Sequence, residues 1–371
     1  MWIYLLLSGT LVIWRGIIPL KITKTWKIIL SLIALLTAGK FYVLRIFGGK
    51  TLFNPDLPQW ILLPFTWLFA VQMFFTIFLV VLEFWYWIVG RRLGMKRSRW
   101  LIAGLVISAV LVSFGMYEGM KTPEITRKEL VFENLPDELD GLTIVHLSDI
   151  HVDPFTGAEK VQKIVRLTNV LTPDLIVITG DFVDGRAEVR GKDMLVLRDL
   201  ESRFGVFGVP GNHEYYSGYS EWLNVLRNCG VRMLINNWEM PCENLVLAGV
   251  TDLAAKRMGK ELPDVEKAVM GVPEGSFKIL LAHQPKLAPA AAAAGVDLQL
   301  SGHTHGGMVY GLDLLVGAFN FGMYSGEYDI DRTKVSISNG TGIWNGFPLR
   351  LGHRSEIVHI TLKKERKSRK K

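Results

Sequence analysis

The stretch VDLQLSGHTHGG, residues 296–307, is an apolar run that ends in two histidines set among small residues. In an extended segment, side chains two apart project to the same side, so His303 and His305 can face one way. The neighbouring Ser, Thr and Gly allow backbone and ligand to come close. A His-x-His pair alone is weak evidence for a metal site, but the same construction recurs upstream. LTIVHLSD (142–149) ends on Asp149, with His151 two residues on; DLIVITGD (174–181) ends on Asp181; FGVFGVPGN (204–212) ends on Asn212, with His213 next; and FKILLAH (277–283) ends on His283. A further run, LVLAGVTD (245–252), has the same form. Helix-length segments at 158–171, 193–203, 220–229 and 285–294 separate these runs, which is the signature of an α/β domain. In such sheets ligand sites form outside the carboxyl ends of the strands, and these residues sit there.

The donor types narrow the chemistry. Carboxylates, imidazoles and one amide suit Mn, Fe or Zn, whereas an all-oxygen set would point to Mg or Ca and thiolates to structural Zn. Neither cysteine takes part. Seven candidate ligands (Asp149, His151, Asp181, Asn212, His283, His303 and His305) are too many for one tetrahedral ion with an open position. They suit two divalent ions that share a carboxylate, an arrangement that clamps both oxygens of an in-line displacement at phosphorus.

Taken in order, D-x-H, G-D-x-V-D-G (180–185), G-N-H-E (211–214), A-H-Q-P (282–285) and G-H-T-H-G-G (302–307) resemble the calcineurin-like metallophosphoesterases over about residues 142–362. The ending GTGIWNGFPLR (340–350), before a final EIVHITL run, is most similar to the membrane-anchored group related to the transmembrane protein with metallophosphoesterase domain. The resemblance implies a four-layer domain of two packed mixed β-sheets flanked by helices. It further implies that Asp149, His151, Asp181 and His305 hold one ion, that Asp181, Asn212, His283 and His303 hold the other, and that a hydroxide between them is the nucleophile. His213 would protonate the leaving oxygen, with Asp184 orienting it; the plainer reading of Asp184 is a turn-capping carboxylate. Met308, the Ser338-Asn339-Gly340 stretch and the His353-Arg354-Ser355 turn depart from the group's usual pattern, which bears on substrate recognition rather than on the ligands.

Before residue 120 the chain is of another kind. Hydrophobic residues make up 49% of the 371-residue sequence and mean hydropathy is +0.25, more than a soluble domain shows. The excess is concentrated in four apolar segments, at about 2–20, 28–47, 60–89 and 100–117, each long enough to read as a membrane helix. The first lacks a basic start and a cleavage site and reads as a retained helix. Lys21, Lys24 and Lys27, and then Arg91, Arg92, Lys96, Arg97 and Arg99, mark two loops as cytoplasmic, while the loop between them offers little beyond Lys50 against Asp56. A multi-pass cell-membrane protein with four crossings would therefore carry its catalytic domain on the extracytoplasmic side. Arg15, Lys40 and Glu83 read as snorkelling or internally paired charges rather than a polar pathway.

The resulting organisation is a transmembrane region at 1–117, a linker at 118–140, the metallophosphoesterase domain at 141–362 and a basic tail at 363–371. The expected reaction is hydrolysis of a phosphodiester or pyrophosphate bond, with two divalent ions, manganese favoured, on a lipid-linked substrate such as a phospholipid or a UDP-diacylglucosamine-like glycolipid. A soluble or wall-polymer phosphoester, or a non-catalytic metal-binding sensor, are the alternatives. The apolar 308–324 segment reads either as a lip that dips into a membrane surface or as a hairpin over the sheet. Arg350 and Trp344 could contact substrate or simply pack. The tail contributes to a net charge of +7 and suits anionic lipid headgroups or plain solubility; short and without aromatics, it does not suit nucleic acid. Cys229 and Cys242 could pair in an oxidising compartment. The oligomeric state is not written in the sequence.

Overall fold

In the computed structural model the described residues are 2–47, 57–90 and 96–366. The chain divides into two compact units, Met1–Glu118 with Gly346–Leu349, and Gly119–Asn345 with Arg350–Lys371.

The first unit is helical. Among the described residues two helices, Gln59–Ile88 and Arg97–Met120, are long and apolar enough to cross a membrane. This corrects the expected four. The first apolar segment forms ten residues of α-helix, Trp2–Leu11, and six of π-helix, Val12–Ile17, so it falls short of the ~20 residues that a bilayer requires. The second breaks at Gly39 into Lys24–Ala38 and Lys40–Phe47, bent by 79°, and counts as a third crossing only if the bent pair is one span. Inside this unit Glu83 pairs with both Arg15 and Arg97. Lys40 is buried, and its Nζ donates to the carbonyl of Gly346 at 3.1 Å. Arg15 and Glu83 are therefore paired within the bundle, whereas Lys40 is held by a carbonyl of the 346–349 segment. Lys50, Asp56, Arg91, Arg92 and the tail residues 367–371 lie outside the described residues.

Among the described residues the second unit is built on twelve strands: β1 (Glu124–Phe132), β2 (Thr143–Leu147), β3 (Leu175–Thr179), β4 (Val206–Val209), β5 (Val231–Met233), β6 (Asn237–Cys242), β7 (Leu245–Gly249), β8 (Phe277–Leu281), β9 (Leu298–Ser301), β10 (Gly326–Ile330), β11 (Thr333–Ile337) and β12 (Glu356–Lys364). They form two six-stranded mixed sheets, ordered β1-β12-β2-β3-β4-β5 and β10-β11-β9-β8-β7-β6. All six apolar runs become strands, and β2–β5 and β7–β9 pair in parallel within their sheets.

Strand alternation explains the layers. Ile144, Leu175, Val177 and Phe207 face Leu247, Ile279, Leu281 and Leu298 of the other sheet in a shared core. Their neighbours Val145, Ile176 and Ile178 point outward and are covered by Val161, Ile164 and Val165 of helix Ala158–Asn169 and by Trp222 and Leu226 of helix Tyr219–Asn228. On the other outer face Ala248, Leu280 and Ala282 meet Val265, Ala268 and Ala291. With both faces covered, β3, β4, β7 and β9 are buried throughout and β2 and β8 at all but one position, which is why these strands read as near-continuous apolar runs.

The 118–140 segment carries the end of helix Arg97–Met120 and then leads into the first strand, β1, which begins at Glu124. Other expectations needed adjustment. The helix expected at 193–203 lies earlier, at Ala187–Met194, and is followed by a 3₁₀ turn, Leu195–Asp199. Within 308–324 there is a short helix, Leu312–Ala318, rather than a hairpin. Cys229 and Cys242 are both free thiols, Cys229 buried.

Candidate metal centre

The residues at the strand ends converge. Asp149 and His151 follow β2, Asp181 follows β3, Asn212 and His213 follow β4, His283 follows β8, and His303 and His305 follow β9. To turn these side chains inward the backbone folds sharply. Asp149 (φ 53°), His151 (49°), Asp181 (51°), His303 (69°) and His305 (50°) all lie in the left-handed region, which non-glycine residues seldom adopt and which structures retain mainly at functional sites. The loops also pack without room for side chains. A Cβ on Gly211 would fall 2.2 Å from Asp181 Oδ1, and one on Gly302 would fall 1.8 Å from Ser148 Oγ.

Two groups of donors result. Ligand atoms of Asp149, His151 and His305 lie within 4.8 Å of one another, as do those of Asp181, His283 and His303. His151 Nε2 and His305 Nε2 are 3.1 Å apart, and so are His303 Nδ1 and His283 Nε2. Asn212 Oδ1 joins the second group, 3.1 Å from His283 Nε2. Asp181 stands between them, with Oδ2 at 3.2 Å from His283 Nε2 and 3.8 Å from His151 Nε2. Imidazole nitrogens turned on each other and on buried carboxylates are the pattern of a cation site, because converging lone pairs repel unless a positive charge sits among them. The donor set therefore fits divalent ions. Burial, then His283, push the His303 ring down to about 4. Burial, His151 and Arg350 hold His305 well below the ordinary histidine range. At these two rings burial favours the neutral form that a ligand presents, whereas at His283 and His151 burial is outweighed by Asp181 and Asp184, which favour the charged form while no cation is bound.

A third cluster adjoins these. Asp184 contacts His213 Nδ1 with one carboxylate oxygen and stands 3.0 Å from His151 Nδ1 with the other. Burial pushes its carboxyl up, but His151 and His213 outweigh that and bring it to about 2. Burial likewise pushes His213 down, and Asp184 and Asp181 reverse the shift to about 9. The rings of Tyr216 and Trp344 flank His213, with centroids 5.6 and 5.9 Å away.

The family model described as calcineurin-like phosphoesterase matches residues 142–307. The transmembrane protein with metallophosphoesterase domain of Danio rerio is 33% identical, over 97% of this chain and 87% of that protein. This chain belongs to the calcineurin-like phosphoesterases. The Bos taurus protein of the same name is 32% identical over 96% of this chain and 87% of its own, and an uncharacterized metallophosphoesterase of Helicobacter pylori is 35% identical over 67% and 66%. As a calcineurin-like phosphoesterase the protein is a metal-dependent phosphoester hydrolase. The transmembrane relatives and its own apolar helices indicate membrane association.

Two further residues shape this calcineurin-like site: Glu214, which had no role assigned from sequence, and Arg350, which was read as either contacting substrate or packing. Glu214, buried, accepts the backbone N–H groups of Gly211 at 2.6 Å, Asp181 at 3.0 Å and Phe182 at 2.8 Å, tying the β3 and β4 loops together. The capping pattern G-N-H-E was the available signal, since a Glu three residues into a helix reaches back to its start. Arg350 is only 2% exposed, so it is packed inside the domain rather than offered to a substrate.

Proposed function

We propose that the protein is a membrane-anchored phosphoesterase with a dinuclear divalent-metal centre. Asp149, His151, Asp181 and His305 would hold one ion and Asp181, Asn212, His283 and His303 the other, with Asp181 shared. The observation that carries this is the convergence of seven buried or half-buried donors from five strand ends, five of them on left-handed backbone. Bound there, divalent ions supply Lewis acidity and lower the pKa of a coordinated water towards neutrality. The chain's own residues do the rest. Asp184 holds His213 by Nδ1, which leaves Nε2 as the proton donor to the leaving oxygen of a phosphodiester or pyrophosphate. The basic residues 91–99, before and within the first turn of helix Arg97–Met120, favour a cytoplasmic start for that helix and hence an extracytoplasmic catalytic unit, whatever the number of earlier crossings.

An amphipathic, lipid-linked substrate is favoured by one specific feature. Directly after the last candidate ligand, Tyr310 (70% exposed), Leu314 (72%), Phe319 (68%) and Phe321 (72%) present large apolar side chains to the surface. Large exposed apolar side chains on the segment that follows the last candidate ligand suit acyl chains better than a soluble ester.

Two assays test the reading. With Mn²⁺ the purified protein should hydrolyse a bis-aryl phosphate; no turnover with any divalent ion would refute the enzyme assignment. Phe319→Ser/Phe321→Ser should keep that rate within about twofold while losing several-fold activity on a dispersed phospholipid. Equal loss on both, or no phospholipid turnover, would favour the soluble substrate.

A further inference from the structure

The candidate ligand histidines differ in what their second nitrogen faces. His283 donates Nδ1–H to the Thr179 carbonyl at 2.7 Å, and His151 Nδ1 stands 3.0 Å from the Asp184 carboxylate. Both are the usual arrangement, in which an acceptor holds the proton on the far nitrogen and leaves Nε2 free for a cation. His305 is the reverse. Its Nδ1 is 3.2 Å from Nη2 of Arg350, and a guanidinium can only donate. The same Arg350 donates to the carbonyls of His305 at 2.6 Å and Gly342 at 3.0 Å, so the charge is fixed in place. Arg350 is buried, its Nε has no hydrogen-bond partner, and no carboxylate lies within ion-pair distance of it among the described residues. A buried cation without a direct ion pair, whose compensating charges, Asp149 and Glu356, lie beyond ion-pair distance, therefore sits against the outer edge of one ligand ring. For His305 Nε2 to ligate, Nδ1 must carry a proton pointing at that guanidinium.

We propose that Arg350 lowers the cation affinity of the Asp149–His151–His305 group, making His305 the weakest ligand of the centre and the ion it helps hold the more readily exchanged. This rests on the metal assignment above. Two forces act in the same direction: charge repulsion between guanidinium and ion, weakly screened in a buried site, and the loss of an acceptor for the ligand's second N–H.

The test is calorimetric titration of the metal-stripped, full-length protein in detergent with Mn²⁺. Removing the charge in Arg350→Gln, which keeps an amide donor for the His305 carbonyl, should tighten the weaker binding event by about tenfold or more. Arg350→Lys, which keeps the charge, should stay within about threefold of wild type. A purely structural clamp predicts the opposite sign, weaker binding on loss of Arg350. A folded Arg350→Gln protein with unchanged or weaker affinity overturns the proposal. Should that variant lack a cooperative thermal transition, a second comparison decides. His305→Gln should cost at least tenfold less affinity than His151→Gln, and equal costs overturn it. A wild-type protein that takes up no divalent ion would instead refute the metal assignment itself.

Discussion

Asp184 touches two histidines of different proposed duty: one oxygen contacts Nδ1 of His213, and the other stands 3.0 Å from Nδ1 of His151. One buried carboxylate thus couples a proton donor to a metal ligand. Asp184→Asn should lower kcat at least tenfold through His213 and weaken metal binding by roughly 10- to 100-fold through His151. Turnover and metal titration on the same preparation separate the two losses. A turn cap would give neither.

The pH profile follows from the same contact. His213 must be protonated to act as an acid, and Asp184 and Asp181 raise it to about 9 against burial. Its contribution is therefore present at neutral pH and lost as pH rises through the folded value, which bound dications would bring below about 9. In Asp184→Asn the raising charge is gone, so the basic limb of kcat should move to lower pH. An unmoved limb would assign it to another group.

His213→Ala tests the acid directly. Loss of general acid catalysis costs roughly 10²- to 10⁴-fold, but only where the leaving oxygen needs a proton. The variant should lose far more rate on an alkyl phosphodiester than on a nitrophenyl ester, with metal content unchanged. An equal loss on both would place His213 in ligand positioning instead.

Glu214 accepts three backbone N–H groups from two loops that carry candidate ligands. Glu214→Ala leaves buried donors unsatisfied, each costing about 1–3 kcal/mol. Thermal unfolding of the metal-free protein should show a clear fall in Tm, together with weaker metal binding. An unchanged Tm would mean that the loops hold without it.

The topology is checked by a reporter. A fusion after Lys371 should be active only in a form that works outside the cytosol, because the basic loop before Arg97–Met120 points that helix outward. Activity confined to the cytosol would overturn the assigned side.

Much of this was legible in the sequence because buried parallel strands leave a strong trace. LTIVHL and DLIVIT are apolar on both faces, and the polar residues that end them stand where the chain leaves the sheet. The antiparallel edge hairpin β10–β11 was missed: GEYDI is half-exposed, and TKVSI, though largely buried, breaks its apolar character with Thr, Lys and Ser. Hydropathy overcounted the membrane helices, since composition does not register the break at Gly39 or the short reach of Trp2–Ile17. Arg350 could be seen but not interpreted, because only packing shows that its charge is buried against His305 rather than presented to a ligand.

Metal stoichiometry tests the central claim most directly. Purified full-length protein, loaded with Mn²⁺ and desalted, should carry about two ions per chain by elemental analysis. His283→Gln should carry about one, and Asp181→Asn, lacking the shared carboxylate, fewer than either. One ion or none in the wild-type protein, or no loss in Asp181→Asn, would contradict a dinuclear centre at these residues.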